Sequence, residues 1–291
     1  MTARAAASPD GLPPLGEVLR SLGHTARKSL GQNFILDLNL TRRIARAAGP
    51  LEGRTVLEVG PGPGGLTRAL FLEGAERVVA VERDERCRPA LEAIAQRYPG
   101  RLHVLYGDAL TTCWPALLPT GASKPIVAAN LPYNIATLLL IGWLESDPWP
   151  PWYLRLVLMF QREVAQRIVA APGSKAYGRL AVIAQWRTRP RLLFNVNPEA
   201  FTPAPSVASA LVELTPTDRP SPPCRVATLG TVTAAAFGQR RKMLRQSLRA
   251  LSSQPEALLA AAGIAPTLRA EALSVPDFAR LAYVFERLPG R

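Results

Sequence analysis

Residues 55–65 read Thr55-Val56-Leu57-Glu58-Val59-Gly60-Pro61-Gly62-Pro63-Gly64-Gly65, an apolar run that stops on glycines. A short apolar segment bounded by turn residues is the pattern of a strand buried on both faces. Working outward, further β-rich runs lie at Arg77–Glu82, Leu102–Tyr106, 125–129 and 152–160. Helical patterns fall between and after them, at 64–73, 84–97, 134–145 and 161–170. Strands that alternate with helices predict an α/β fold, a parallel sheet with helices on both faces. Runs at 192–196 and 208–214 are expected to close the sheet as an antiparallel pair. Residues 215–223 hold four prolines and read as a linker. Beyond them the pattern is helical only: one or two helices over 226–251, then 255–262 and 275–288. Three segments are therefore expected: a flexible N-terminal extension with a short helix at 15–22 (1–23), the α/β domain (24–217) and a small all-helical domain (218–291).

The glycine loop carries the first chemical information. Gly60, Gly62 and Gly65 fit G-x-G-x-x-G, and Glu82 stands at about the distance of a ribose-binding acid. A nicotinamide or flavin enzyme fits this spacing, as does a tight turn with no ligand. Pro61 and Pro63, however, lack backbone N–H groups, and a loop that cradles a pyrophosphate uses such donors. A cofactor with ribose and adenine but no phosphate, S-adenosylmethionine, suits the loop better. Glu82 would accept from both ribose hydroxyls. Asp108 follows the third strand, where ligands of open α/β sheets lie. It is either an acceptor for the cofactor's adenine amine or an ordinary helix cap.

The fourth strand runs into Asn130-Leu131-Pro132-Tyr133. An exocyclic adenine amine is a poor nucleophile because its lone pair is delocalised into the ring. Acceptors on both N–H bonds favour a pyramidal nitrogen; the Asn130 side-chain oxygen and the Leu131 carbonyl are the candidates. Pro132 biases Leu131 to an extended conformation. The ring face of Tyr133 offers a stacking surface for a flipped base. Such a transfer rests on positioning and fixed electrostatics rather than on a strong base. The alternative is a plain turn with a buried tyrosine.

On these residues the chain resembles the ribosomal RNA adenine dimethyltransferases, most closely the bacterial small-subunit (16S) group, over about residues 24–290. Further carriers are Lys28-Ser29-Leu30-Gly31-Gln32-Asn33-Phe34, Gln161-Arg162-Glu163-Val164-Ala165, Tyr177-Gly178-Arg179-Leu180, Phe201-Thr202-Pro203-Ala204-Pro205 and Arg240-Arg241-Lys242-Met243-Leu244-Arg245. The resemblance implies a Rossmann-like class I methyltransferase sheet with a small C-terminal helical domain. It also implies that Asn33 and Ile35 line the methionine end of the cofactor pocket, with Gly60, Gly62, Glu82, Asp108 and Asn130 as further contacts. Phe201 would close over the target adenine opposite Tyr133. The implied reaction converts two adjacent adenosines near the 3′ end of small-subunit RNA to N6,N6-dimethyladenosine, within an immature subunit. Ser206 departs from the family pattern where a basic residue is usual, which puts one phosphate contact in doubt. Leu138 stands where proline is common and reads as a packing variation. Within the same chemistry a large-subunit enzyme of the macrolide-resistance type is the runner-up; a non-catalytic assembly or transcription factor on the same fold is another reading.

Charge agrees with a nucleic-acid partner. Lys and Arg number 35 against 22 acidic residues, a net charge of +13 that points to a polyanion. Arg241, Arg245 and Arg249 recur every four residues beside Arg240 and Lys242, while Phe237, Leu244, Leu248 and Leu251 share another face. An amphipathic helix is expected, its cationic stripe either tracking RNA phosphates or simply solvated. Cys87, Cys113 and Cys224, with His24 and His103, show no metal-ligand spacing, so no metal is expected and the three thiols suit a reducing compartment. No apolar run is long enough to span a bilayer. The expectation is a cytoplasmic, monomeric enzyme without membrane contact.

Overall fold

The computed structural model describes residues 8–21, 23, 27, 30–119 and 121–287. In chain order the elements are α1 (Leu15–Ser21), β1 (Phe34–Ile35), α2 (Leu38–Ala47), β2 (Thr55–Val59), α3 (Gly65–Leu72), β3 (Arg77–Glu82), α4 (Arg88–Arg97), β4 (Leu102–Tyr106), β5 (Ile126–Ala129), α5 (Tyr133–Leu144), β6 (Arg155–Gln161), α6 (Arg162–Ile168), α7 (Arg179–Arg187), β7 (Thr188–Val196), β8 (Phe201–Thr202), β9 (Ser209–Pro216), α8 (Val226–Gly238), α9 (Leu244–Ser247), α10 (Pro255–Ala261) and α11 (Val275–Phe285).

Seven strands form one sheet in the order β4-β3-β2-β5-β6-β9-β7. The pairs β2–β3, β3–β4, β2–β5 and β5–β6 are parallel, with Val56 opposite Val78 on one side and Ile126 on the other. Strand order reverses between β2 and β5, and ligands of open sheets sit beyond the carboxyl ends at such a switch. The turns after β2 and β5 carry the glycine loop and the Asn130 tetrapeptide. Where β9 ends and β7 begins, the Thr217 N–H donates to the Arg187 carbonyl at 2.9 Å, as antiparallel neighbours do. The expected closing strands are thus present.

Two helices and a small ribbon stand outside the sequence expectations. Helix α2 starts from the Asp37 side chain, which accepts from the Asn39 N–H at 2.8 Å, and buries Thr41, Ile44 and Ala45. Helix α7 buries residues nearly all round, so it shows no apolar stripe of helical period. The β1–β8 ribbon pairs Ile35 with Phe201; two-residue strands have no legible period.

The described part of the N-terminal extension is not loose, contrary to expectation. Asp10 and Arg68 of α3 are each 1% exposed. Arg68 grips both Asp10 oxygens, Nε to Oδ2 at 2.5 Å and Nη2 to Oδ1 at 2.6 Å, and its Nη1 donates to the Pro13 carbonyl at 2.8 Å. Arg97 donates to the Asp10 carbonyl, and Leu15 and Leu19 of α1 are buried. The buried ion pair fixes the segment, and its partner lies 58 residues away, beyond any local pattern.

The chain divides into two compact units, one of Met1–Leu139, Trp152–Arg162 and Leu192–Glu213, the other of Leu140–Pro151, Glu163–Arg191 and Leu214–Arg291. The helical unit is therefore larger than the segment beyond residue 218. Its core joins Tyr177, Val182 and Trp186 to Leu229, Leu248 and Phe278. Leu138 is 59% exposed, so its departure from the family pattern is a surface position rather than a packing variation. No helix among the described residues is long and apolar enough to cross a membrane.

Candidate active site

One cavity opens at the carboxyl ends of β2, β3, β4 and β5. Asn33, Ile35, Gly60, Glu82, Asp108 and Asn130 all line it, as do Leu131 and Pro132. Gly62, Tyr133 and Phe201 are not among its lining residues.

The glycine loop is shaped by close approach. Gly62 has φ +55°, and a Cβ there would lie 2.8 Å from the Phe34 ring. Gly64 has φ +88°, and a Cβ would meet Ile94 at 2.1 Å. Positive φ makes a side chain strained at both positions, and its Cβ would also have to displace these neighbours. The Gly62 N–H donates to Glu82 Oε2 at 2.8 Å, while Glu82 Oε1 accepts from the Asp84 N–H at 2.7 Å. Glu82 thus ties the loop to the end of β3, a second duty beside the expected one. Burial pushes its carboxyl above the usual range, against the backbone donors of Asp84, Gly62 and Arg83. Asp84 is held well below the ordinary carboxylate range, chiefly by the Arg86 guanidinium. Gln32 donates to Asp84 at 2.8 Å, which moors the Gln32-Asn33-Phe34 stretch beside the loop.

Asp108 lines the cavity but begins a turn, not the helix that a cap would start. Its Oδ1 accepts from the Leu110 N–H at 2.9 Å, a local turn bond, while Oδ2 lies 3.2 Å from Arg83 at the cavity wall.

In the tetrapeptide, Asn130 Nδ2 donates to the Asn33 carbonyl at 2.9 Å. A carbonyl only accepts, so this bond decides which amide atom faces it. Oδ1 is left as an acceptor with no donor among the described residues. No described N–H meets the Leu131 carbonyl either, whereas the Pro132 carbonyl starts α5 by accepting from Ile135 and Ala136. Tyr133 is half-buried, and its hydroxyl is hydrogen bonded to Ser209 Oγ. Phe201 is 3% exposed and sits in the core of its unit, so it presents no free face to a base as it stands. Its antiparallel partner in β1, Ile35, lines the cavity.

Glu58 belongs to the cavity and was not singled out in the sequence. Its carboxyl is 1% exposed and burial pushes it up to about 8, with Thr67 donating to it at 2.6 Å. The signal was available: an acid inside an otherwise apolar strand needs a reason.

The cationic cluster takes a different form from the expected single helix. Helix α8 ends at Gly238, residues 239–242 turn (Lys242 N–H to Gln239 carbonyl, 2.9 Å), and α9 is one turn long, followed by a 3-10 turn at Leu248–Ala250. The helix breaks because Met243 bridges Arg269 and the Leu244 N–H donates to the Leu268 carbonyl, partners that replace i−4 bonding. Leu244 and Leu248 are still buried, with Phe237 and Leu251 packed beside them. Arg240, Arg241, Lys242, Arg245 and Arg249 are all exposed. Arg240 pairs with Glu271 and Arg245 with Glu256 at 3.8 Å; Arg241, Lys242 and Arg249 have no ion-pair partner among the described residues. Among those residues no three His, Cys, Asp or Glu side chains converge as metal ligands would.

Solved structures share this architecture. A dimethyladenosine transferase from Plasmodium falciparum superposes with a TM-score of 0.71 at 23% identity, covering 86% of this chain and 96% of its own. The 23S rRNA methyltransferase ErmE gives 0.65 at 24% identity, covering 88% of this chain and all of its own. The fold is that of a Rossmann-like methyltransferase. The ribosomal RNA adenine dimethylase family profile matches residues 23–287, and the chain belongs to that family. Curated relatives include the ribosomal RNA small subunit methyltransferase A of Xanthobacter autotrophicus, 62% identical over 279 residues and 96% of each chain. The protein of the same name from Rhodopseudomonas palustris is 59% identical over 97% of each.

Proposed function

We propose that the protein transfers methyl groups from S-adenosylmethionine to N6 of two adjacent adenosines near the 3′ end of small-subunit ribosomal RNA, giving N6,N6-dimethyladenosine. The observation that carries this is the Asn130 amide: pinned through its nitrogen to Asn33, it leaves Oδ1 as a fixed acceptor in the cavity that also holds Glu82 and Asp108. The names of the relatives support the small subunit as the substrate; the large-subunit alternative has a shared fold behind it. We take the working substrate to be an immature subunit, and the enzyme to act in the cytoplasm as a monomer. Mass spectrometry of ribosomal RNA from cells with and without the gene tests the assignment. Loss of dimethyladenosine from small-subunit RNA is expected; loss from large-subunit RNA alone would refute it.

The residues present fit the cofactor. Among the described lining residues are three carboxyl groups and a glycine loop without two of its N–H donors, a set that offers hydrogen-bonding oxygens to a phosphate-free ligand. Bound there, S-adenosylmethionine supplies an electrophilic methyl on a sulfonium. Glu82 would accept from the ribose hydroxyls with the lone pairs its backbone bonds leave, Asp108 from the adenine amine, and Asn33 and Ile35 would wall the methionine end. Asn130 Oδ1 and the Leu131 carbonyl would hold the two N–H bonds of the target amine, and the Tyr133 ring would stack on the base. Glu82→Gln is expected to weaken the cofactor by roughly 1.5–3 kcal/mol, the worth of a charged hydrogen bond, read by calorimetry. A change under twofold would remove Glu82 from the ribose site.

Arg240, Arg241, Lys242, Arg245 and Arg249 are proposed to meet RNA phosphates, as an exposed cluster on a turn and two short helical pieces. Changing Arg241, Arg245 and Arg249 to Gln should weaken subunit binding and flatten its salt dependence, because fewer counterions are released. Cofactor affinity should not change. An unchanged salt slope would return the cluster to a solvated surface.

A further inference from the structure

We infer that Ser209 is a positioning residue for methyl transfer: through its hydrogen bond to the Tyr133 hydroxyl it sets the angle of the ring on which the target adenine stacks. This rests on the proposed stacking role of Tyr133. The two residues are 76 positions apart, one opening α5 and the other opening β9. Ser209 is wholly buried at the head of a strand whose next residues, Ala210, Leu211 and Val212, are also wholly buried. A hydroxyl in such a place costs stability unless it is bonded, and an Ala opposite a Phe would fill the same space without that cost. Among the described residues Tyr133 is the partner its Oγ has. The pair is therefore better explained by position than by stability.

The geometry makes it a two-point hold. At its backbone end, Tyr133 follows Pro132, whose carbonyl accepts from Ile135 and Ala136 at 3.1 and 3.0 Å and so starts the helix. At its far end the ring is held by Ser209. That residue is itself fixed, because the neighbouring Ala208 carbonyl accepts from the Arg162 N–H at 2.8 Å and β9 lies beside β6 in the sheet. A tyrosine tied only at Cα swings about its side-chain torsions. One tied at both ends keeps its ring plane, and capture of a flipped base then loses no further rotamer freedom. Ser209 acts through the ring, without itself meeting cofactor or base.

The test is single-turnover methylation of undermethylated small ribosomal subunits at saturating S-adenosylmethionine, with subunit concentration varied. Ser209→Ala and Tyr133→Phe should each raise the half-saturating subunit concentration by about 3- to 10-fold, the effect of freeing one side chain. Cofactor affinity should stay at the parental value. The double variant should be no worse than either single, since both remove the same bond, and Ser209→Thr should restore most of the loss. Half-saturation at the parental value in folded Ser209→Ala, or losses that multiply in the double variant, would overturn the inference. Should Ser209→Ala fail to fold, Tyr133→Phe decides alone, with parental behaviour counting against. Tyr133→Ala separates the two levels. If it too is silent, the stacking role is wrong; if it is impaired while Ser209→Ala is parental, only the positioning role falls.

Discussion

Asp10→Ala is expected to destabilise the protein by about 3–5 kcal/mol, because it strands a buried guanidinium. Arg68 is 1% exposed, and its two strongest contacts are the Asp10 oxygens. The Pro13 carbonyl that remains can accept a hydrogen bond but offers no countercharge. The loss is a large fraction of an ordinary domain's total stability. Denaturant unfolding of the full chain measures it. Replacing both partners with apolar residues, Asp10→Leu with Arg68→Met, should cost far less than Asp10→Ala alone, since no charge is then left unpaired. A loss below about 1 kcal/mol, the range of exposed pairs, would mean that the segment around Asp10 is not docked in solution. The consequence reaches the site, for Leu15 of the same segment lies against the first residue of α3, 3.2 Å from where a Gly65 Cβ would stand.

That ion pair also marks what a sequence hides. Strands β2, β3 and β5 were legible because parallel strands buried on both faces must be apolar throughout, and glycines or turn residues end them. The cavity was legible for a related reason: Gly60, Glu82, Asp108 and Asn130 stand at or just past strand ends, where topology brings distant residues together without help from local pattern. Contacts between side chains that are far apart in sequence leave no such trace. Asp10 with Arg68 and Tyr133 with Ser209 are of that kind. The cationic stripe failed differently. The spacing of Arg241, Arg245 and Arg249 is helical, but Met243 and Leu244 find partners in the 268–269 segment, and tertiary bonding overrides local periodicity. Their exposure survives the change of backbone; their common stripe does not.

Asn130→Ala should lower methyl transfer by about a hundred- to a thousand-fold, roughly 2.7–4 kcal/mol, while the fold and subunit binding persist. The acceptor is proposed to act as the amine becomes pyramidal, so its worth is greater in the transition state than in the bound ground state. Subunit affinity is expected to hold because phosphate contacts, made elsewhere, dominate nucleic-acid binding. The structure adds a complication. Alanine also removes the Nδ2 bond to the Asn33 carbonyl, and Asn33 lines the cofactor cavity. Some cofactor affinity should therefore be lost as well, which is why the rate is to be read in single turnovers at saturating cofactor. Asn130→Asp sharpens the reading. It keeps an oxygen for the amine but sets a carboxylate against the Asn33 carbonyl, so its defect should weigh more on cofactor binding and less on the saturated rate than that of Asn130→Ala. If Asn130→Ala transfers methyl at near the parental saturated rate, the tetrapeptide holds the Asn33 stretch and does nothing for the amine.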